Sequence, residues 1–312
     1  MEQARHKDRI LPYTYLGLQG RYGMWSSKNS SDKRVFVIVY GQHASLERLE
    51  PLVTIFRTYG DVYVVDNPGF GGMDPAYSIG KYPDLHFQAG HVHNFIDNYL
   101  PKDKQLTIIG ISYGFQIVTQ LLEDFPDLQT RTEDVVNMVG CLSYRDLDMP
   151  LSYKIPLIYL LAFPGRTWLG SNIFKLVARR RVIIAVYMLT KPIQVKLRGV
   201  SRQQAIAYAS EQASLWIDND PRTHGAAAWD FVARNDVSQL KLDVDAIHLS
   251  VPGDHIINSQ RVKKGMEAVF NKVSSFDIAL DNHAPLDLDA DDIEAIIPEG
   301  LARILKKSDN TV

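Results

Sequence analysis

The apolar positions of the first 142 residues follow two alternating periodicities. Residues 35–40 form an unbroken apolar run, which predicts a strand buried on both faces. Apolar residues then recur at helical spacing over 46–56, and Gly60 ends that helix. The same analysis predicts strands at 13–18, 62–65, 106–109 and 135–139, a hairpin or loop at 26–32, and helices at 87–99 and 115–122. Strands that alternate with helices predict an α/β fold whose mostly parallel sheet has helices on both faces.

The alternation stops after residue 142 and resumes near residue 241. Residues 143–240 predict almost only helix. The alternating pattern then returns with a strand at 246–251, a helix at 262–269, a strand at 276–280 and a closing helix at 293–304. We therefore predict one core built from residues 1–142 and 241–312, with an inserted helical cap at 143–240.

Composition narrows the protein class. The 312 residues are 46% hydrophobic and 22% charged, which is typical of a globular protein. A net charge of −2 gives no basic field for a nucleic acid partner. The single cysteine, Cys141, forms no internal disulfide, and the charged N-terminus does not resemble a secretory signal. The longest apolar runs have about nine residues, whereas a transmembrane helix needs about 20, so we expect a cytoplasmic location.

A G-x-S-x-G motif joins the strand at 106–109 to the helix at 115–122. Its serine is Ser112, bracketed by Gly110 and Gly114. A serine on such a tight strand-to-helix turn projects its hydroxyl clear of the backbone, and the glycines remove side chains that would collide with neighbouring elements. The backbone N–H of Tyr113 would then face a reacting carbonyl group. The alternative is a serine that merely caps a helix.

With this motif, the sequence resembles the α/β-hydrolase superfamily over most of the chain outside the predicted cap. The segment Tyr40-Gly41-Gln42-His43 stands where that family has its His-Gly oxyanion loop, with Tyr40 in place of the histidine. By position, the resemblance assigns the second oxyanion donor to the backbone N–H of Gln42. Residues 66–74 are similar to the family's D-x-P-G-x-G loop; a phosphate-binding loop is the alternative, although the G-x-G-x-x-G spacing is absent.

The resemblance also implies the chain order serine, acid, histidine for a catalytic triad. Four histidines follow Ser112 in the sequence: His224, His248, His255 and His283. His283 is favoured as the base because it follows the last predicted strand, at the sheet edge where a base reaches the serine. The other three are predicted to lie in the cap, within a strand and in the loop of the acid.

Asp254 is the candidate acid. It follows the strand at 246–251 in a Pro-Gly-Asp sequence and precedes His283 by one helix and one strand. The rival acids are Asp146 and Asp148, which follow the strand at 135–139. Pro-Gly-Asp is also a common turn sequence, so a purely structural turn is the alternative for Asp254.

Other chemistry-bearing residues give weaker signals. His91 and His93 are two positions apart on a predicted helix and face different sides, so they cannot share one metal ion; no cofactor or metal is implied. For Arg179-Arg180-Arg181, a solvated helix face is the favoured interpretation, and attraction of an anionic ligand or a membrane lipid is the alternative. The apolar residues of the cap could pack on the core, line a substrate entrance or touch a membrane surface as a peripheral contact.

The function that the resemblance implies is hydrolysis of a carboxyl ester, or a related acyl bond, in a small and moderately apolar substrate. The same triad serves acyltransferases and carbon–carbon bond hydrolases. A serine at the elbow argues against an epoxide hydrolase or a haloalkane dehalogenase, whose elbow residue is aspartate. The alternatives from other classes are a weakly active or non-catalytic ligand-binding relative and a protein that uses its apolar cap as a contact surface.

Overall fold

The computed structural model describes residues 10–27, 34–148, 163, 167–189, 201–233, 237, 239–252, 254, 257–278 and 297–306. Its strands are β1 (Ile10–Tyr15), β2 (Leu18–Trp25), β3 (Val35–Val39), β4 (Asp61–Val65), β5 (Leu106–Ile111), β6 (Thr132–Met138), β7 (Asp245–Ser250) and β8 (Val273–Asp277). Its α-helices are α1 (Glu50–Phe56), α2 (Leu85–Tyr99), α3 (Tyr113–Asp124), α4 (Trp168–Val177), α5 (Arg180–Leu189), α6 (Arg202–Asp218), α7 (Pro221–Ala233), α8 (Ser259–Val269) and α9 (Glu299–Lys306). No helix in these ranges is long and apolar enough to cross a bilayer.

The eight strands form one sheet in the order β1-β2-β4-β3-β5-β6-β7-β8. The pairs β1–β2 and β2–β4 are antiparallel, and every other neighbouring pair is parallel. All five residues of β3 are buried, as a strand covered by helices on both faces requires. The predicted α/β fold with a mostly parallel sheet is confirmed.

The start of the sheet differs from the sequence prediction. The single strand predicted at 13–18 is wrong, because Leu16 and Gly17 both have positive φ angles and form a two-residue turn between β1 and β2. Such a turn usually shows asparagine or glycine first, so the leucine concealed it. The predicted closing helix also begins later, at Glu299, because Pro298 precedes it; residues 279–296 lie outside the described part.

Four described helices, α4 to α7, come between β6 and β7 in the chain, although these two strands are neighbours in the sheet. We call them the insert helices. The junction between α6 and α7 is bonded to the loop after β4. The N–H of Asp220 donates to the carbonyl of Gly69 (2.9 Å), and the N–H of Gly71 donates to Oδ1 of Asn219 (2.9 Å). Helices α6 and α7 therefore meet the rest of the described structure at the carboxyl end of the sheet.

Helix α3 occupies the centre of the molecule. Every residue from Tyr113 to Leu122 is buried, including polar Gln116 and Thr119. A helix buried on all sides has elements packed around its whole circumference. Its N-terminus follows β5, at the edge of the sheet where the parallel strands end.

Candidate functional site

Ser112 lies between β5 and α3 in a strained backbone conformation. Its φ and ψ angles are 52° and −121°, a region that residues with a Cβ atom rarely occupy. Such strain persists only where surrounding structure enforces it, and it concentrates at functional sites. The N–H of Ser112 donates to the carbonyl of Met138 (3.0 Å), and the carbonyl of Ser112 accepts from the N–H of Phe115 (3.1 Å).

The bracketing glycines make the turn around Ser112 sterically feasible. A Cβ atom on Gly114 would lie 2.0 Å from the carbonyl oxygen of Val39, and one on Gly110 would lie 2.5 Å from Cα of Phe115. Real Cβ atoms do not approach neighbours this closely. The sequence motif is therefore required by packing between β3, β5 and α3.

The loop after β3 passes directly over the serine. Strands β3 and β5 are paired up to Val39 and Gly110, so their loops leave the sheet side by side. A Cβ atom on Gly41 would lie 3.1 Å from Cβ of Ser112 and 3.1 Å from the backbone nitrogen of Tyr113. Tyr113 is the first residue of α3, where a backbone N–H has no acceptor within the helix. Gln42, the predicted second donor, follows Gly41 and is half-buried.

Tyr40 connects this loop to the loop after β4. Its hydroxyl donates to Oδ1 of Asp66 (2.7 Å) and accepts from the N–H of Asn67 (3.0 Å). The Asn67 side chain in turn donates to the carbonyl of Tyr40 (3.0 Å). Burial raises the pKa of Asp66, opposed by Arg21, whose guanidinium donates to Oδ2 (2.7 Å). Tyr40 therefore has a structural role, because it joins the two loops.

Asp254 lies beyond β7, on the sheet edge that also carries Ser112. It follows Val251 in a turn, since its N–H donates to the Val251 carbonyl (3.2 Å), and its Oδ1 accepts from the N–H of Ile257 (3.2 Å). His283 lies outside the described residues. Pairing of Asp254 with His283, and of His283 with Ser112, therefore stays a prediction.

The rival acids occupy different environments. Asp146 is buried, and its Oδ2 accepts from the backbone N–H groups of Leu142 (2.9 Å) and Ser143 (3.0 Å) in a helix-capping arrangement. Asp148 is exposed, 3.9 Å from the guanidinium of Arg261. The capping bonds give the buried carboxylate a structural explanation, and the exposed one has the character of a surface charge.

The other histidines lie mainly where the sequence places them. His248 is buried within β7, with Nε2 2.9 Å from the Ser259 hydroxyl, and burial lowers its pKa to about 4. His91 is buried, whereas the ring of His93 stacks on Phe125 at 3.8 Å, so the two imidazoles face different sides of α2 as predicted. His255 lies outside the described residues.

A cluster of aromatic rings and imidazoles fills the space between the core loops and the insert helices. His43, one residue beyond Gln42, lies 4.7 Å from Trp216 of α6 and 5.3 Å from His224 of α7, measured between ring centroids. Trp216 stacks on His224 at 4.5 Å, and Phe70 contacts His224 edge-on at 4.9 Å. We call these four residues the imidazole cluster. Its members come from distant parts of the chain, so spacing along the sequence gave no signal for it.

Polar atoms of this cluster lack good partners. Both ring nitrogens of His43 and Nε2 of His224 are buried without a well-aligned hydrogen bond to any described residue. Gln212 lies beside His43, and its own Nε2 is likewise buried without a well-aligned hydrogen bond to any described residue. Burial lowers the pKa of His43 to about 4 and that of His224 well below its usual value, so both rings are neutral at pH 7. Unsatisfied buried polar atoms at one place are a feature of ligand and water sites.

A cavity of about 240 Å³ lies at the opposite edge of the sheet, where the parallel strands begin. It is lined by Arg34, Glu133, Asp134, Asp245 and Lys272, among others. Arg34 is itself buried and forms ion pairs with Glu133 and Asp134. This cavity is separated from Ser112 by the length of the strands, so it does not belong to the candidate site.

Neither a family model nor a curated protein sequence matches the chain. Solved structures do resemble it. MenH from S. aureus superimposes with a TM-score of 0.64 at 12% identity, covering 92% of this chain and 99% of its own. A thermophilic esterase from Thermogutta terrifontis, with malate bound, gives 0.62 at 13% identity, covering 96% and 98%. The epoxide hydrolase CorEH gives 0.61 at 14% identity, covering 94% and 97%.

Proposed function

Because the chain has the α/β-hydrolase fold, we propose that it is a serine hydrolase that cleaves a carboxyl ester, or a related acyl bond, of a small and moderately apolar molecule. One observation carries this proposal: the strained Ser112 lies under the loop after β3, which contains Gly41, and next to the N-terminus of α3. A serine that only capped a helix would need neither the strain nor the close approach of a second loop. Hydrolases among the structural neighbours support the reaction class.

The proposed reaction proceeds by acyl transfer. His283 takes the proton of Ser112 while the serine oxygen attacks the substrate carbonyl carbon, and Asp254 orients the imidazole. The backbone N–H groups of Gln42 and Tyr113 stabilise the negative oxygen that forms. His283 then protonates the leaving group, and water, activated by the same histidine, releases the acid and restores Ser112.

The imidazole cluster supports a substrate with both apolar and polar parts. It adjoins Gln42, so a group attached to the reacting carbonyl would lie against Trp216 and Phe70. The neutral rings of His43 and His224 would each offer a hydrogen bond to an oxygen of that group. We propose that the insert helices, which supply Trp216 and His224, act as a cap over the substrate. The composition supports a cytoplasmic location for this activity.

A fluorophosphonate probe tests the activated serine. We expect covalent labelling at Ser112, mapped by mass spectrometry, and loss of labelling in Ser112→Ala and His283→Ala. Removing either group from a triad lowers kcat by on the order of a million-fold. Ser78→Ala, at an exposed serine of the short helix Ala76–Ile79, is the matched control and should label normally.

A panel of p-nitrophenyl esters from acetate to decanoate then defines the acyl chain that fits. We expect hydrolysis that depends on Ser112 and peaks at an intermediate length. A folded protein that binds the esters but neither hydrolyses them nor reacts with the probe would refute the enzyme proposal and favour a binding protein.

A further inference from the structure

The outer surface of helices α4 and α5 exposes an unusual amount of apolar area. Nine of the fifteen large apolar side chains that are exposed in the described part of the chain lie between residues 163 and 189. Trp168, Leu176 and Leu189 are 74%, 66% and 76% exposed. Scattered exposed apolar residues are ordinary, but a contiguous group of them marks an interaction surface.

Helical periodicity shows that these side chains share the outer faces. On α4, Leu169, Ile173 and Leu176 recur at the spacing of one helix face, and all three are exposed, whereas Gly170 and Ser171 are buried. The same holds on α5 for Val182, Val186 and Leu189, while Ile183 is buried. A surface helix normally presents polar residues outward, and a helix that is apolar all round is buried.

Basic residues accompany this apolar surface. Arg179, Arg180 and Arg181 are exposed at the junction of α4 and α5, and Lys175 is exposed on α4. Between residues 149 and 210 the sequence has ten Lys and Arg and no Asp or Glu. The other 250 residues hold the remaining 24 basic residues and all 36 acidic ones, so the near-neutral total conceals a strongly basic segment within an acidic molecule.

We propose that this apolar–basic face, formed by the outer sides of α4 and α5 with Arg179, Arg180 and Arg181, docks on an anionic lipid bilayer. Apolar side chains insert at the level of the acyl chains while arginine and lysine pair with lipid phosphates and carboxylates. A second copy of the chain is disfavoured as the occupant, because two such faces would bring like charges together. The polar alternative, a solvated helix face, does not account for the exposed leucines and valines.

Docking would bring the bilayer close to the candidate site. Phe174, on the inner side of α4, contacts Trp216 of the imidazole cluster at 5.6 Å between ring centroids. An apolar ester dissolved in the bilayer would thus be separated from that cluster by the thickness of one helix. The docking proposal itself does not rest on the proposed hydrolase activity, because binding to lipid requires neither Ser112 nor His283.

Co-sedimentation of the full chain with vesicles tests the proposal. We expect binding to phosphatidylcholine vesicles that contain 30% phosphatidylserine, and at least tenfold weaker binding to pure phosphatidylcholine. The double variant Arg180→Gln/Arg181→Gln should bind the anionic vesicles about 30-fold less tightly, because each basic residue near such a surface contributes about a fivefold factor. Leu169→Gln/Leu176→Gln should bind about tenfold less tightly because two apolar insertions are lost.

Matched variants distinguish this face from general charge and apolar effects. Lys263→Gln/Lys264→Gln on α8 removes two exposed cations elsewhere, and it should bind like the wild type. Ser112→Ala should also bind normally, which separates docking from catalysis. The proposal is overturned if wild-type protein stays in the supernatant, if the α8 variant loses as much affinity as the arginine variant, or if the face instead forms a dimer in lipid-free solution.

Discussion

At the scale of single residues, the candidate site depends on backbone positions that the neighbouring loops enforce. Ser112 has a positive φ angle, and the neighbouring loop after β3 is tied to the loop after β4 by hydrogen bonds of buried side chains. Tyr40 illustrates the second effect, because one hydroxyl joins the loops after β3 and β4. Both features lead to measurable effects of small substitutions.

Replacing Ser112 by glycine should separate strain from chemistry. Glycine adopts the φ and ψ of Ser112 without steric cost, whereas alanine keeps the Cβ atom. We expect Ser112→Gly to have a free energy of unfolding about 1–2 kcal/mol higher than Ser112→Ala, with both inactive. Urea denaturation measures the difference. At Ser78, which lies in ordinary helical backbone, the glycine variant should be less stable than the alanine variant. The strain explanation would be contradicted if the glycine variant were the less stable one at both positions.

Tyr40→Phe should weaken the connection between the two loops. The change removes one donor to Asp66 and leaves the N–H of Asn67 buried without its acceptor. We expect a loss of about 1–3 kcal/mol in the free energy of unfolding. We also expect a lower kcat, because the loop after β3, which holds the proposed oxyanion donor Gln42, loses its support. Tyr22→Phe is the control, since its ring packs on Phe95 and Tyr99 and its hydroxyl forms no hydrogen bond with the described residues; an equal loss there would refute the explanation.

At the scale of elements, the contact between insert helix α7 and the core contains a buried carboxyl group. Asp230 of α7 accepts a long hydrogen bond from the Tyr113 hydroxyl (3.5 Å) and one from the N–H of Leu85. Burial, together with the like charge of Asp84 at the start of α2, raises the pKa of Asp230 to about 7, opposed by the hydrogen bonds from Tyr113 and Leu85 and, to a smaller extent, by His86. We therefore expect the stability of the contact of α7 with α2 and α3 to depend on the ionisation of Asp230.

Asp230→Asn should stabilise the protein at alkaline pH. Because the pKa of Asp230 is raised on folding, ionisation destabilises the folded state increasingly from about pH 4 to about pH 7, and the effect is constant above that. We expect the asparagine variant to gain up to about 4 kcal/mol at pH 8, at about 1.4 kcal/mol per pKa unit, and progressively less toward pH 4. Denaturation curves at pH 5 and pH 8 measure the gain. The exposed Asp103→Asn is the control, and a pH-independent gain in Asp230→Asn would contradict this assignment.

At the scale of the whole molecule, charge and apolar surface are segregated. Helices α4 and α5 present a basic and apolar outer side, and all the acidic residues of the chain lie outside residues 149–210. The candidate serine lies at the carboxyl edge of the sheet, and α6 and α7 contribute rings beside the loop after β3. Docking on a bilayer and catalysis would therefore occur on the same side of the molecule.

If docking delivers the substrate, the effect of the arginines on the kinetics should depend on whether the ester is in vesicles or in solution. For an ester incorporated in anionic vesicles, we expect Arg180→Gln/Arg181→Gln to raise the apparent KM at least tenfold with little change in kcat, because only recruitment is impaired. For p-nitrophenyl acetate in solution, the same variant should match the wild type. Equal impairment with both substrates would show that the arginines act on the site itself.

Much of the core followed from the sequence alone. The unbroken apolar run at β3 and the apolar stripe of α2 are local patterns, which can be recognised in the sequence without knowledge of distant residues. The G-x-S-x-G motif correctly located the turn at Ser112, because a strand-to-helix turn this tight demands glycine at fixed offsets. The turn at Leu16 escaped prediction because leucine seldom adopts a positive φ angle.

Tertiary structure decided what depends on contacts between distant segments. The imidazole cluster joins His43 to His224, and Tyr40 joins two loops, through contacts that no spacing along the chain encodes. The fate of the apolar insert was also open, since the pattern of Leu169, Ile173 and Leu176 fits a buried face as well as an exposed one. Only packing determines which side of a helix finds a partner within the molecule, because burial is a property of the folded surface and not of the local sequence.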